Sequence, residues 1–179
     1  MEIDNSEERI RSIHQDLLDV YGKQDWHDDN DGVRQLLITI LSQNVADENT
    51  EKAAKNLFND FEDYEEIEEA SIQDLADSIN PAGLPETKAK RIQRTLKALR
   101  EQGDENKYSV DFLGVMEDSD AQAWLEEIKG IGPKTASVLL NFQLEANVIA
   151  VDTQLVTIAE RLRLIPLSAS DGKAHEQPN

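Results

Sequence analysis

The feature that constrains this chain most is a tight turn between two short segments of helical pattern. Residues 125 to 140 read Leu-Glu-Glu-Ile-Lys-Gly-Ile-Gly-Pro-Lys-Thr-Ala-Ser-Val-Leu-Leu. Apolar residues on both sides follow helical spacing, and Gly130 and Gly132 permit a sharp reversal between them. Pro133 suits the first position of the second helix, where its missing N–H is not needed. The pattern predicts a helix-hairpin-helix.

The start of the second helix is a predicted anion site. Glycines let the backbone approach a ligand, and the first N–H groups of a helix point outward with the positive end of the dipole behind them. A nucleic-acid phosphate fits such a site and would be held without regard to base sequence. The candidate contacts to DNA are therefore Gly130, Ile131, Gly132, Pro133 and Thr135.

Two side chains near this turn are candidates for chemistry. Lys134 stands at the second position of the second helix, where the dipole favours the neutral amine over the ammonium. Asp152 follows 18 residues later. A lysine nucleophile and a carboxylate near one phosphate-binding turn suit chemistry on a sugar. Each also has a plainer interpretation, as a phosphate-contacting cation for Lys134 and a helix N-cap for Asp152.

Four motifs carry a resemblance to a known family. Gly130-Ile-Gly-Pro-Lys-Thr-Ala136 and Val151-Asp-Thr153 resemble the hairpin and aspartate motifs of the endonuclease III family of DNA glycosylases. Leu41-Ser-Gln-Asn-Val-Ala-Asp47 resembles the family's glutamine-containing segment. Gly83-Leu-Pro-Glu-Thr-Lys-Ala-Lys-Arg-Ile92 resembles its Gly-Leu segment. The motifs stand in the family's order and span roughly residues 30 to 166.

The resemblance implies a base-excision repair enzyme that is both a DNA glycosylase and an abasic-site lyase. A damaged nucleotide, typically an oxidised pyrimidine, would be flipped out of duplex DNA. Lys134 would attack the sugar, and Asp152 would help to deprotonate it and stabilise positive charge. A glutamine of the family enters the DNA stack, and an ungapped match puts that role on Asn44, whereas residue type puts it on Gln43. The family's leucine wedge corresponds to Leu84, whose other interpretation is a buried contact at a helix cap.

The cofactor commonly found in the family does not fit this chain. The resemblance implies a 4Fe-4S cluster on a four-cysteine loop near the C-terminus, but the chain has no cysteine, which excludes thiolate ligands and disulfides. We expect no cofactor, apart from a monovalent cation at the hairpin. Gln154 stands where the family usually has histidine, and the sequence stops about where further helices of the second domain would begin. The chain is thus either a truncated or decayed copy or an unusually short member, and both departures count against the enzyme function.

The overall charge opposes DNA binding, whereas one segment favours it. A net charge of −19 and a pI near 4.4 have the wrong sign for contacts with phosphates. A cluster of basic residues nevertheless follows the glycine before Leu84: Lys88, Lys90, Arg91, Arg94, Lys97 and Arg100. We interpret this cluster as a DNA-facing patch, with Lys88 and Arg91 as contacts, in a protein from an organism with an acidic proteome. The alternative is a solvated helix face.

The periodicity predicts an all-α protein with the helix-hairpin-helix DNA glycosylase fold, since no long period-2 pattern is present. We expect a helical domain over residues 24 to 139 that ends in the hairpin. Residues 1 to 23 and 140 to 179 would form the remnant of a second helical domain. Predicted N-caps include Asn5, Asp47 and Ser119. No targeting segment or membrane span is visible, so a cytoplasmic monomer that binds damaged or abasic double-stranded DNA is expected.

Two other functions are compatible with the sequence. The first is a DNA-binding module that keeps the hairpin and has lost catalysis; the short C-terminal part favours it, and the presence of both Lys134 and Asp152 opposes it. The second is a helical interaction protein with no role on nucleic acid. Only the acidic charge supports that function, and it predicts no salt-dependent affinity for DNA.

Overall fold

The structure is a computed structural model that describes residues 6–23, 31–102 and 108–166. Within these ranges the chain is helical and has no strand, which confirms the predicted all-α class. The predicted cap Asn5 and the polar stretch from Leu167 onward lie outside the described residues. No helix among the described residues is both long and apolar enough to cross a lipid bilayer.

The chain divides into two compact units. Residues 28–150 form the larger unit, and residues 1–27 together with 151–179 form the smaller one. The helices are α1 Glu7–Tyr21, α2 Gly32–Ser42, α3 Asp47–Asp60, α4 Tyr64–Glu69, α5 Ile72–Ser78, α6 Pro85–Gln102, α7 Asp118–Glu127, α8 Pro133–Leu144 and α9 Thr153–Arg161. Short 3-10 turns occupy Asn80–Ala82 and Asp111–Val115. The sequence predicts that the larger domain ends at residue 139, but this position falls inside α8. Because α8 packs on α2 and α7, the larger unit continues to Ala150.

The centre of the larger unit is α2, as its apolar sequence predicts. Leu36, Leu37, Ile40 and Leu41 are fully buried, so this helix is covered on more than one side. It packs against α3, α6 and α8. Each of these partner helices therefore has a fixed position around α2, and the end of α2 brings residues 43 and 44 to the same region as α6 and α8.

Several helix starts differ by one or two residues from the predicted ones. Ser6, not Asn5, caps α1, and its Oγ accepts from the Arg9 N–H at 3.4 Å. Asp47 is the first residue of α3, with Ala46 at the cap position. Ser119 lies within α7, which begins at Asp118 without a side-chain cap. Asn, Ser and Asp all favour helix caps, and acids are also favoured in the first turn, so residues of these types mark a helix start only to within a residue or two.

The smaller unit contains α1 and α9. The Nη2 of Arg9 donates to the carbonyl of Leu162 at 3.0 Å, which links α1 to the end of α9. Gly22 ends α1, and its N–H donates to the carbonyl of Leu18. No residue of α1 is buried, and Leu17 and Ile10 are about half exposed.

Candidate active site

The hairpin between α7 and α8 has the predicted geometry. Gly130 has a φ of 106°, a backbone conformation that only glycine adopts without strain. Gly132 occupies the N-cap of α8 and Pro133 its first position. Ile131 is buried, and its N–H donates to the carbonyl of Ile128 at 2.9 Å, so this residue anchors the turn to the core. The N–H groups in the first turn of α8 have no intrahelical partner, which is the basis of an anion site.

Lys134, at the second position of α8, lines a cavity of about 620 Å³. The cavity lies within the larger unit, between residues of α2, α3 and the first turns of α8. Its volume is in the range of small-molecule sites, roughly 300–1,000 Å³. The candidate nucleophile therefore borders a space that can hold a molecule of nucleoside size.

The lining of this cavity combines apolar and polar groups. The apolar part comes from Ile38, Ala54, Phe58 and Val138. Hydrogen-bonding groups come from Gln35, Thr39, Ser42, Asp47, Thr50 and Asn59, and charged groups from Arg34, Glu51, Lys55 and Lys134. The guanidinium carbon of Arg34 lies 3.8 Å from the ring centroid of Phe58, a cation–π contact. The lining was not predicted, although the polar residues of α2 (Arg34, Gln35, Thr39 and Ser42) stand out among its apolar ones.

Gln43 is bonded inside the protein, whereas Asn44 faces solvent. The Gln43 Nε2 donates to the Oγ1 of Thr135 at 3.0 Å, and its Oε1 accepts from the Nη1 of Arg91. Thr135 is itself buried. Asn44 is exposed and has a φ of 56°, in the left-handed region. Of the two amides that the sequence left open, the structure thus presents Asn44 outward and uses Gln43 to join α8 to α6.

Leu84, like Asn44, faces solvent, and the two residues are called the Asn44 tip and the Leu84 tip. Leu84 is 72% exposed and has a φ of 48°, so it is not the buried cap contact that the sequence left open. A left-handed conformation is unfavourable for leucine, and such strain persists only where surrounding structure imposes it. Asn44 and Leu84 are therefore two exposed residues held in uncommon backbone conformations.

The basic segment on α6 divides into one buried residue, one half-buried residue and four exposed ones, which are Lys90, Arg94, Lys97 and Arg100. Lys88 is only 3% exposed, so its predicted position on a DNA-facing surface is wrong. Arg91 is half-buried and lies against Gly130 and Gln43. Three others lie near carboxylates at 2.9 to 3.9 Å: Lys90 with Glu86, Lys97 with Glu101 and Arg100 with Glu68. Arg94 is exposed.

The environment of Lys88 affects its ionisation. Burial, and secondarily the charge of Arg91, lowers the pKa of Lys88. Its Nζ nevertheless has three carbonyl acceptors, from Leu41 at 2.6 Å, Ala82 at 2.7 Å and Gln43 at 2.9 Å. These bonds satisfy the three donors of an ammonium group.

Asp152 belongs to the smaller unit and caps α9. Its Oδ1 accepts from the Leu155 N–H at 2.8 Å, so the N-cap interpretation of Asp152 is confirmed. Helix capping by Asp152 does not exclude a chemical role for its carboxylate. Gln154, the departure from the family's histidine, is exposed in the first turn of α9.

Comparisons with known proteins agree with this fold and with the hairpin. The family model of the HhH-GPD superfamily of base excision DNA repair proteins matches residues 37–177. The chain belongs to this superfamily. Endonuclease III of Thermotoga maritima is 37% identical over 136 residues, which cover 76% of this chain and 59% of that protein. A putative DNA repair glycosylase of Methanocaldococcus jannaschii is 30% identical over 166 residues, covering 90% of this chain and 73% of that protein.

Solved structures of superfamily members share the helical architecture. A non-covalent endonuclease III–DNA complex matches with a TM-score of 0.75 and 21% identity, over 96% of this chain and 75% of that one. A 3-methyladenine DNA glycosylase of H. pylori bound to 1,N6-ethenoadenine matches with a TM-score of 0.70 and 23% identity, over 97% and 80%. This chain spans 59% of the T. maritima protein and 48% of a putative DNA glycosylase of Arabidopsis thaliana.

Proposed function

We propose that this superfamily member is a bifunctional DNA glycosylase and abasic-site lyase. One observation carries the proposal: Lys134 stands at the second position of α8, directly after the hairpin, and borders the 620 Å³ cavity. A glycosylase that only hydrolyses the base does not need an amine there. A lyase does, because the amine forms the covalent intermediate.

The proposed reaction begins when the hairpin binds a phosphate of duplex DNA and a damaged nucleotide leaves the stack. The lone pair of neutral Lys134 Nζ forms a bond to C1′ of the sugar as the bond from C1′ to the base breaks. The base leaves with that electron pair and takes up a proton. The C1′–O4′ bond then opens, O4′ is protonated, and the nitrogen forms a Schiff base with C1′.

Strand cleavage follows from the Schiff base by β-elimination. A proton leaves C2′, and the bond between C3′ and the phosphate oxygen breaks, so the 3′ phosphate departs with the electron pair. Water then hydrolyses the imine and regenerates Lys134. We assign Asp152 to the first step, where its carboxylate accepts a proton from the Lys134 ammonium and stabilises positive charge on the sugar.

The proposed substrate is double-stranded DNA that carries an oxidised pyrimidine or an abasic site. The enzyme would act as a cytoplasmic monomer without an iron-sulfur cluster, and a monovalent cation would bind at the hairpin. The motifs that resemble the endonuclease III family support this choice of base. The solved relatives also include 8-oxoguanine and 3-methyladenine glycosylases, so a panel of lesions is needed to test it.

A second candidate is a DNA-binding protein without catalysis. The observation in its favour is Gln154, which stands where the family's aspartate motif usually continues with histidine. Such a protein would bind abasic DNA through the hairpin and would release no base.

The experiment that separates these functions is a nicking assay on a panel of duplexes, each with one lesion: an oxidised pyrimidine, 8-oxoguanine, 3-methyladenine or an abasic site. The assay is run in low and in multimolar potassium chloride, because the net charge is −19. The proposal predicts release of the oxidised pyrimidine and a β-elimination product, both strongly reduced in Asp152→Asn. Binding without base release or nicking on every duplex would favour the second candidate.

A further inference from the structure

The most unusual charged group outside the proposed chemistry is the ammonium of Lys88. This side chain is 3% exposed and yet donates to three main-chain carbonyls, those of Leu41, Gln43 and Ala82, at 2.6 to 2.9 Å. An ammonium has three N–H donors, so these bonds use all of them. A group bonded in this way is not available to a DNA phosphate.

The three carbonyls belong to two segments that are far apart in the sequence. Leu41 and Gln43 stand at the C-terminal end of α2, where carbonyls lack helical partners and the dipole is negative. Ala82 ends the 3-10 turn that precedes α6. A cation is favourable at the end of α2, and the same cation reaches across to the second segment. Lys88 is therefore a shared anchor for both.

Each anchored segment leads directly to an exposed residue in a left-handed conformation. Asn44, with a φ of 56°, follows Gln43. Leu84, with a φ of 48°, comes two residues after Ala82, behind Gly83 with a φ of 65°. Backbone strain of this kind is maintained only by contacts on either side of it. The bonds from Lys88 are such contacts, placed one residue before Asn44 and two residues before Leu84.

We propose that Lys88 is a positioning residue that holds the Asn44 and Leu84 tips together in the arrangement that enters duplex DNA. The proposal rests on the proposed function, since it assigns these tips to the space left by a flipped nucleotide. The bonds of Gln43 to Arg91 and Thr135 support it, because they fix the base of the Asn44 tip to α6 and α8 as well. Lys88 then contributes to affinity for distorted DNA without touching it.

The test is a binding experiment with Lys88→Met, which keeps the length of the side chain and removes its donors. The matched control is Lys90→Met on the same helix, because Lys90 is exposed and lies 3.9 Å from Glu86. The dissociation constant is measured for a duplex with a stable tetrahydrofuran abasic analogue and for an undamaged duplex. We expect Lys88→Met to weaken binding to the abasic duplex at least about 10-fold, the equivalent of roughly 1.4 kcal/mol. Lys90→Met should change both duplexes equally and only slightly.

A double-mutant cycle tests whether Lys88 acts through the two tips. In a protein that already carries Asn44→Ala and Leu84→Ala, Lys88→Met should weaken binding less than about 2-fold further, since coupled residues are not additive. An equal loss in both backgrounds would overturn the proposal. So would binding by Lys88→Met that matches the Lys90→Met control.

Folding and catalysis are monitored separately. Circular dichroism and thermal melting establish that each variant is folded, and Lys88→Gln, which retains two N–H donors, serves as a second variant with an expected smaller loss. If neither variant melts cooperatively, Lys88 has a general structural role and the positioning proposal is wrong. If the wild type binds the abasic analogue but releases no base, the proposed function fails, whereas the effect of Lys88 on the dissociation constant remains measurable.

Discussion

Replacing Gly130 with alanine is the most informative perturbation of the hairpin. Gly130 has a φ of 106°, and an added Cβ would lie 2.7 Å from Cδ and 2.9 Å from Cγ of Arg91 and overlap its Nε. An L residue in such a conformation costs about 1–3 kcal/mol. The Arg91 side chain must also move away, and it then loses its bond to Gln43; a hydrogen bond to a charged group contributes about 1.5–3 kcal/mol.

Together these two effects predict that Gly130→Ala lowers the free energy of unfolding by about 3–6 kcal/mol. For a chain of 179 residues the melting temperature should fall by about 6–24 °C. Thermal and urea denaturation measure this change. In an Arg91→Ala background the three atoms nearest to the new Cβ are removed, so the cost of Gly130→Ala should fall towards the backbone part.

Gly132 in the same hairpin provides the matched control. Its φ is −109°, and an added Cβ would have nothing within 4 Å. Gly132→Ala should therefore change the free energy of unfolding by less than about 1 kcal/mol, and it can stabilise slightly by restricting the unfolded chain. Equal melting temperatures for the two variants would refute the account of the hairpin.

Three further predictions follow from other contacts. Asp152→Asn should keep the free energy of unfolding within about 0.5 kcal/mol, because asparagine caps helices as well as aspartate, whereas Asp152→Ala should lose about 1 kcal/mol; urea denaturation of both, beside the nicking assay, separates capping from chemistry. Hydrogen bonds from Arg100 lower the pKa of Glu68 in the folded protein. The ionised Glu68 carboxylate therefore stabilises the folded state at pH values above the ordinary glutamate pKa, and this stabilisation is lost as the pH falls through the lowered pKa. The difference in melting temperature between wild type and Glu68→Gln should thus be largest at neutral pH and shrink towards about pH 3. Leu37→Ala should cost about 2–5 kcal/mol in urea denaturation, because Leu37 is fully buried, while Leu84→Ala should cost almost nothing, because Leu84 is 72% exposed.

The parts of the fold that the sequence predicts well are those governed by local rules. The hairpin is determined by Gly130, Gly132 and Pro133, whose backbone preferences act within a few residues. The burial of α2 follows from apolar residues on nearly all of its sides. The sequence and the structure differ at helix caps because Asn, Ser and Asp have similar local preferences for the cap and the first turn.

The prediction for Lys88 failed for a different reason. Net charge and clustering treat every lysine on α6 alike, but burial depends on position around the helix. Lys88 lies on the same stripe as Ile92, Leu96 and Leu99, at intervals of four, eight and eleven residues, and all three are fully buried. That spacing was available in the sequence. No local pattern predicts that the main-chain carbonyls of Leu41, Gln43 and Ala82 meet at one place. Together they accept three hydrogen bonds from the ammonium of Lys88, which makes its burial favourable.

The cavity beside Lys134 depends on contacts that are distant in sequence. Residues of α2 and α3 meet the first turns of α8 roughly 80 to 100 positions later in the chain. Periodicity identifies each helix but not which faces meet. The arrangement of Gln43, Arg91 and Thr135 is of the same kind, since the bond from Gln43 to Thr135 joins residues 92 positions apart.

The proposed covalent intermediate between Lys134 and DNA can be detected by borohydride trapping. The folded protein is incubated with a duplex that contains one abasic site, in low and in multimolar potassium chloride, and the imine is reduced. We expect a covalent protein–DNA adduct that mass spectrometry assigns to Lys134 and that is absent from Lys134→Ala. If the folded wild type gives no adduct at either salt concentration, or if the adduct persists in Lys134→Ala, Lys134 is not the nucleophile.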